Sequence, residues 1–119
     1  KAGVKIAAGD AIFLRTGRWA SRGQLGSGYD VTVAPWLKAR DVALVGSDGT
    51  QDVGTVEGII LPFHKFVLVA LGSNIFDNAD LERVAETAAR LNRWEFMMVV
   101  APLRVPGATG GPVNPIAIF

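Results

Sequence analysis

The sequence predicts an α/β fold. Three observations carry that expectation. Half of the 119 residues are hydrophobic and only 19% are charged, so the chain can bury a core. Apolar, β-rich runs alternate with segments of helical spacing. The fourteen glycines stand between those segments as punctuation.

Each element follows in order. Gly9-Asp10 is a turn signal, and Ala11–Thr16 reads as a buried strand. Gly17 to Asp30, with four glycines plus Arg18, Trp19 and Arg22, reads as a long surface loop of the kind that often serves function. Val33, Trp36 and Leu37 fall at i, i+3, i+4, which predicts a short helix over 33–40 with Trp36 packed inward. Asp41–Gly46 is a second buried strand. Strand, helix, strand suggests a βαβ-like unit with both sheet faces covered. Pro62 at a first helical position and Gly72 just past an end predict a helix over 62–71, weakened by Val67 and Val69. Leu81, Val84, Ala85, Ala88 and Leu91 predict the clearest helix, over 78–93, with acids in its first turn and arginines in its last. Trp94–Val105 reads as a strand, Gly107–Gly111 as a tight turn, and Asn114–Phe119 as a last strand.

Composition removes several functions. The net charge is +1, which argues against nucleic-acid or anionic-membrane binding. There is no cysteine, so disulfide scaffolds, thiolate zinc sites and iron–sulfur clusters are excluded. One histidine, His64, is the whole imidazole inventory. No apolar run approaches the roughly 20 residues of a membrane helix. The start at Lys1 suggests a processed chain or a fragment, and the lack of cysteine is compatible with the cytoplasm.

Each candidate motif has a structural reading beside a functional one. The glycines at 107–111 lack the Lys-Ser/Thr pair and following helix of a phosphate loop, which favours a sharp turn. Asp48 and Asp52 loosely resemble a calcium loop without its bidentate glutamate, and turn-forming aspartates are the simpler reading. Arg15, Thr16, Arg18 and Trp19 form a polar-aromatic cluster at a strand end. Arg18 and Trp19 are candidates for binding a planar or carboxylated substrate, against an ordinary loop with a snorkelling arginine. His64 is either a packed histidine or a functional one. In a first helical turn the dipole disfavours imidazolium, and a neutral ring ligates metal or accepts a proton. Asp77 follows thirteen residues later, and one helix with a short return segment would bring the two together. A His and a carboxylate are two donors, whereas a hydrolytic site usually has three protein ligands and an open position. The chain holds half a site at best.

Several segments, in this order, resemble one family. They are Gly9-Asp10-Ala11-Ile12-Phe13-Leu14-Arg15-Thr16-Gly17, Ala43-Leu44-Val45-Gly46-Ser47-Asp48, Pro62-Phe63-His64, Ile75-Phe76-Asp77-Asn78-Ala79-Asp80-Leu81, Trp94-Glu95-Phe96 leading to Ala101-Pro102-Leu103, and Gly107-Ala108-Thr109-Gly110-Gly111-Pro112-Val113-Asn114-Pro115. The family is the cyclase-like metal hydrolases, which include bacterial kynurenine formamidase and isatin hydrolase. The resemblance implies a swivelling β/β/α cyclase-like fold, a divalent metal (zinc or manganese), and attack of metal-activated water on an amide-type carbonyl of a small molecule. It implies His64 and Asp77 as metal ligands. Many members have Glu before the Asn where this chain has Asp77-Asn78, and a serine where it has Gly111. The hallmark His-x-Gly-Thr-His-x-Asp motif is absent. The resemblance therefore implies that residues 1–119 are the C-terminal part of such a domain. The remaining ligands would lie in an N-terminal part or a companion chain. Alone, the chain is expected to be inactive, to bind metal weakly, and to pair tightly or homo-oligomerise. The rival expectation is a non-catalytic assembly module or truncated paralogue.

Overall fold

A computed structural model describes residues 3–21 and 27–119. The expected loop over 17–30 therefore lies partly outside the described residues. Two compact units emerge, Lys5–Arg83 and a smaller one formed by Val84–Phe119 with the first residues.

The larger unit is built on three parallel strands in sequence order, β1 (Ala11–Leu14), β2 (Leu44–Ser47) and β3 (Asn74–Phe76). A 3-10 turn at Val31–Val33 and helix α1 (Ala34–Arg40) connect β1 to β2. Helix α2 (Pro62–His64) leads into a π-helical run, Lys65–Ala70, before β3. Parallel strands need such crossovers, because a two-residue hairpin reverses direction. Register sets one row as Ile12, Val45 and Ile75, and the next as Phe13, Gly46 and Phe76. The first row belongs to the core. Val45, Leu37, Val42, Phe63 and Val67 are buried there, with Ile12, Tyr29, Val33, Phe66 and Ile75 packed around them. The Tyr29 ring stacks on Phe63 at 5.4 Å, and burial pushes its phenol up to about 12.

In the second row, Phe13 and Phe76 meet edge to face at 5.9 Å across Gly46. A Cβ on Gly46 would stand 2.5 Å from the Phe13 ring, so only glycine lets the two rings close over β2.

Some expectations are corrected. Trp36 does not pack inward. It is 38% exposed with the Arg40 guanidinium 4.0 Å over its ring, and Leu37 is the buried residue of α1. The helix expected over 62–71 is helical throughout but only its first turn is α. A wider π-helical coil follows over Lys65–Ala70.

In the smaller unit, α3 (Glu82–Leu91), which begins in the larger one, is followed by an antiparallel pair, β4 (Met97–Val99) with β5 (Ile116–Ile118). Phe96 and Phe119 touch at 5.1 Å beside that pair. The apolar run at 94–105 thus yields three residues of strand. Among the described residues, no helix is long and apolar enough to cross a membrane.

Candidate functional site

The polar residues of interest follow the carboxyl ends of the parallel strands: Thr16 to Trp19 after β1, Asp48 to Asp52 after β2, and Asp77 after β3. That edge is where ligands bind in open parallel sheets, because the loops diverge there.

Asp48 organises the first loop. Its carboxylate accepts from Thr16 N (2.9 and 3.0 Å), Thr16 Oγ1 (2.7 Å), Gly17 N (2.8 Å) and Arg18 N (3.1 Å). It is fully buried. Burial pushes its pKa up, but these donors outweigh that and hold the carboxyl below its usual 3.8. Asp48 is a loop anchor, which is more than the turn-former its sequence suggests.

The second cluster centres on His64. Its Nδ1 hydrogen-bonds Asp52 Oδ2, and its Nε2 faces Asp77 Oδ2 at 2.8 Å. The imidazole lies between two carboxylates. Asp52 also takes the Phe63 N–H at 2.6 Å through Oδ1, so one side chain caps α2 and orients the ring. Backbone geometry supports the aim. Gln51 and Asp52 both have left-handed φ values, 59° and 52°, and Asn78 follows at 55°. Gln51 pays for its conformation through its amide, which accepts from Tyr29 N at 2.9 Å and donates to Phe76 O at 3.2 Å. The chain after β3 is tied to the chain after β2 by Asn78 N to Gly49 O (2.9 Å) and Ala79 N to Ser47 O (3.1 Å). These bonds place Asp77 against His64.

The expected neutrality of His64 is corrected. Burial pulls its pKa down, but hydrogen bonds to Asp52 and Asp77, and then their charges, raise it above 6.5. A first helical turn with two carboxylates on the ring is an environment for imidazolium. The dipole argument fails because a carboxylate hydrogen-bonds each ring nitrogen, and these two contacts outweigh a helix end.

Arg18 and Trp19 stand apart from the His64 contacts but not from their loop. Trp19 Nε1 donates to Ala79 O at 3.1 Å, two residues beyond Asp77. The Arg18 guanidinium lies 6.0 Å from the Trp19 ring centroid. Arg15, by contrast, clamps Glu82 with Nε to Oε1 at 3.0 Å and Nη2 to Oε2. A separate apolar hollow of about 460 Å³, lined by Ile6, Ile12, Phe13, Tyr29, Thr32, Val33 and Trp36, shares no residue with the His64 cluster.

The donor set decides how far a metal fits. His64 Nε2 and Asp77 Oδ2 are hydrogen-bonded to one another at 2.8 Å, so a cation held by both would replace the proton between them. Asp52 sits on the other ring nitrogen, which suits a carboxylate that orients a metal-binding histidine. Among the described residues, no group of three His, Cys, Asp or Glu side chains converges as a donor set. His64 and Asp77 supply two donor types found in divalent sites and no third among the described residues.

Asp52 reads from the sequence as a turn-former, and its contacts with Phe63 N and His64 Nδ1 are what sequence reasoning missed. The signal was present: Pro62 starts a helix whose N-cap position, Leu61, has no side-chain acceptor. The Phe63 N–H therefore needed an acid from elsewhere in the chain.

No family model and no curated protein matches the chain. A solved structure does. A crystal structure described as that of a novel cyclase aligns with 99% of this chain at a TM-score of 0.79 and 30% identity. The chain has a cyclase-like fold. It spans 43% of the length of that cyclase structure.

Proposed function

We propose that this cyclase-like chain belongs to the cyclase family and is the C-terminal part of a metal-dependent hydrolase. The substrate class is a small cyclic or formylated molecule with an amide-type C–N bond. The observation that carries the reading is the His64 imidazole held between Asp52 and Asp77 at the carboxyl ends of three parallel strands.

His64 Nε2 and Asp77 Oδ2 would hold a divalent cation, zinc or manganese. When bound, such an ion activates water and polarises a carbonyl. The chain's own residues orient and protect. Asp52 holds Nδ1 and fixes which nitrogen faces Asp77. The left-handed turn at Gln51-Asp52 sets the carboxylate, and the Asn78 and Ala79 backbone bonds set Asp77. An ion held at Nε2 would take the place of the proton that His64 shares with Asp77. Arg18 and Trp19 face the substrate. The remaining ligands would come from residues outside this sequence or from a companion chain.

Calorimetric titration with zinc and with manganese tests the reading. Weak binding is expected, lost in His64→Ala and in Asp77→Ala. Nanomolar affinity in the pure monomer, or binding indifferent to both substitutions, overturns it. In the polypeptide that supplies the remaining ligands, the same substitutions are expected to abolish cleavage of formyl amides and cyclic imides.

A second reading rests on Asp52 and Asp77 holding opposite ring nitrogens. Imidazolium between two carboxylates is a sound structural tie, and a non-catalytic assembly module would keep it. Such a module shows no cation dependence in that titration.

A further inference from the structure

The Arg18 guanidinium is buried without a partner. Its Nε and Nη1 have no solvent exposure to speak of and no hydrogen bond, whereas the neighbouring Arg15 is paired with Glu82. The nearest acid by backbone contact, Asp48, has both oxygens filled by Thr16, Gly17 and the Arg18 N–H itself. A guanidinium carries five donors and keeps its charge, so burial of an unpaired one is unfavourable. Arg18 as a whole is only partly buried, and Nη2 is not among its buried, unpartnered nitrogens, which leaves that corner as the side of approach. Trp19, 46% exposed, stands beside it and is fixed through its indole N–H to Ala79 O.

We propose that the loop after β1 is an anion receptor, in which the Arg18 guanidinium takes the carboxylate of a small organic acid lying beside the Trp19 ring. A carboxylate entering at Nη2 would make one charge-assisted hydrogen bond there and a second as it reaches a neighbouring, unsatisfied guanidinium N–H, and a flat apolar surface beside it favours an acid carrying a planar group. The bond from Trp19 to Ala79 keeps this receptor on the loop that begins with Asp77. Calling the anion a substrate group rests on the hydrolase reading above; its capture by Arg18 does not.

Benzoate is the probe, titrated calorimetrically into the full chain, with neutral benzamide as control. Saturable benzoate binding is expected, at least ~10-fold weaker in Arg18→Gln and unchanged in His64→Ala. Arg18→Lys, which keeps charge but loses the fork, should fall between. Arg18→Gln should melt at or above the parent temperature, because it removes a buried unpaired charge. Benzoate should raise the melting temperature of the parent and not of this variant. Equal binding of benzamide, undiminished binding in Arg18→Gln, or a lower melting temperature in that variant overturns the proposal. Zinc titration of His64→Ala reports on the metal reading alone, so either idea can fail without the other.

Discussion

At the scale of single residues, Asp48 makes the sharpest claim. Its folded pKa lies below the unfolded value near 3.8. The unfolded chain therefore binds the proton more readily, and protonation favours unfolding. The stabilisation is present above about pH 4 and is lost as pH falls through the lowered folded value. Asp48→Asn, which replaces a charged acceptor and strands some of the loop N–H groups, should cost about 2 kcal/mol at pH 7. That cost should shrink as acid titrates the parent. Urea melts of both proteins between pH 7 and 2.5 check this; a cost that is constant across the range would be contrary. Legibility at this scale was uneven for a physical reason. His64 and Asp77 were visible because a lone imidazole at a helix start and an acid thirteen residues later, just before the clearest helix, are separated by one helix and a short return. Asp52 was not, because a carboxylate in a Gly-rich turn looks the same whether it caps its own turn or a helix ten residues on. Nor could the sequence show that two carboxylates would reverse the dipole's effect on the ring.

Elements are legible where period and length agree. The strand–helix–strand order of 11–47 followed from apolar runs separated by helical spacing, and α3 from five apolar residues on one face. β3 was not foreseen, because three residues in Asn74-Ile75-Phe76 are too few to display a period. The π-helical run also escaped, since i→i+5 bonding, as in Leu71 N to Phe66 O at 3.0 Å, leaves no compositional trace. Gly46 shows what an element can hide. It looks like a weak point in an apolar strand, yet it is buried where Phe13 and Phe76 close from either side. A methyl group there would stand 2.5 Å from the Phe13 ring, so that ring must shift. Gly46→Ala should destabilise the fold by about 1–3 kcal/mol, read as a lower urea midpoint. Gly46→Ala with Phe13→Leu, which trims the clashing ring, should recover part of the loss. A single variant as stable as the parent would show that the ring packing is looser than described.

At the scale of the whole molecule, the order of weak motifs along nearly the full chain, and not any one of them, pointed to a cyclase-like fold. The motifs up to Leu81 lie on or beside the strand ends of the parallel sheet, and the last two flank the strands of the antiparallel pair. The two units differ in how they are held. β2 carries Val45 at no exposure, with Leu37, Phe63 and Val67 equally buried around it. In the antiparallel pair, Met97 is 60% and Ile116 56% exposed, although both are apolar. Two strands alone are marginal in water, so protection of these amides depends on what covers them. Hydrogen exchange followed by mass spectrometry should therefore find 44–47 slow and 97–99 and 116–118 fast in dilute protein. The expected association of copies through exposed apolar surface gives the test a second axis. If copies pair through this sheet, its exchange slows as concentration rises while that of 44–47 stays fixed, and light scattering shows the mass increasing in step. Protection of 97–99 equal to that of 44–47 at low micromolar concentration, with a monomeric mass, would show that the smaller unit needs no partner to hold its strands.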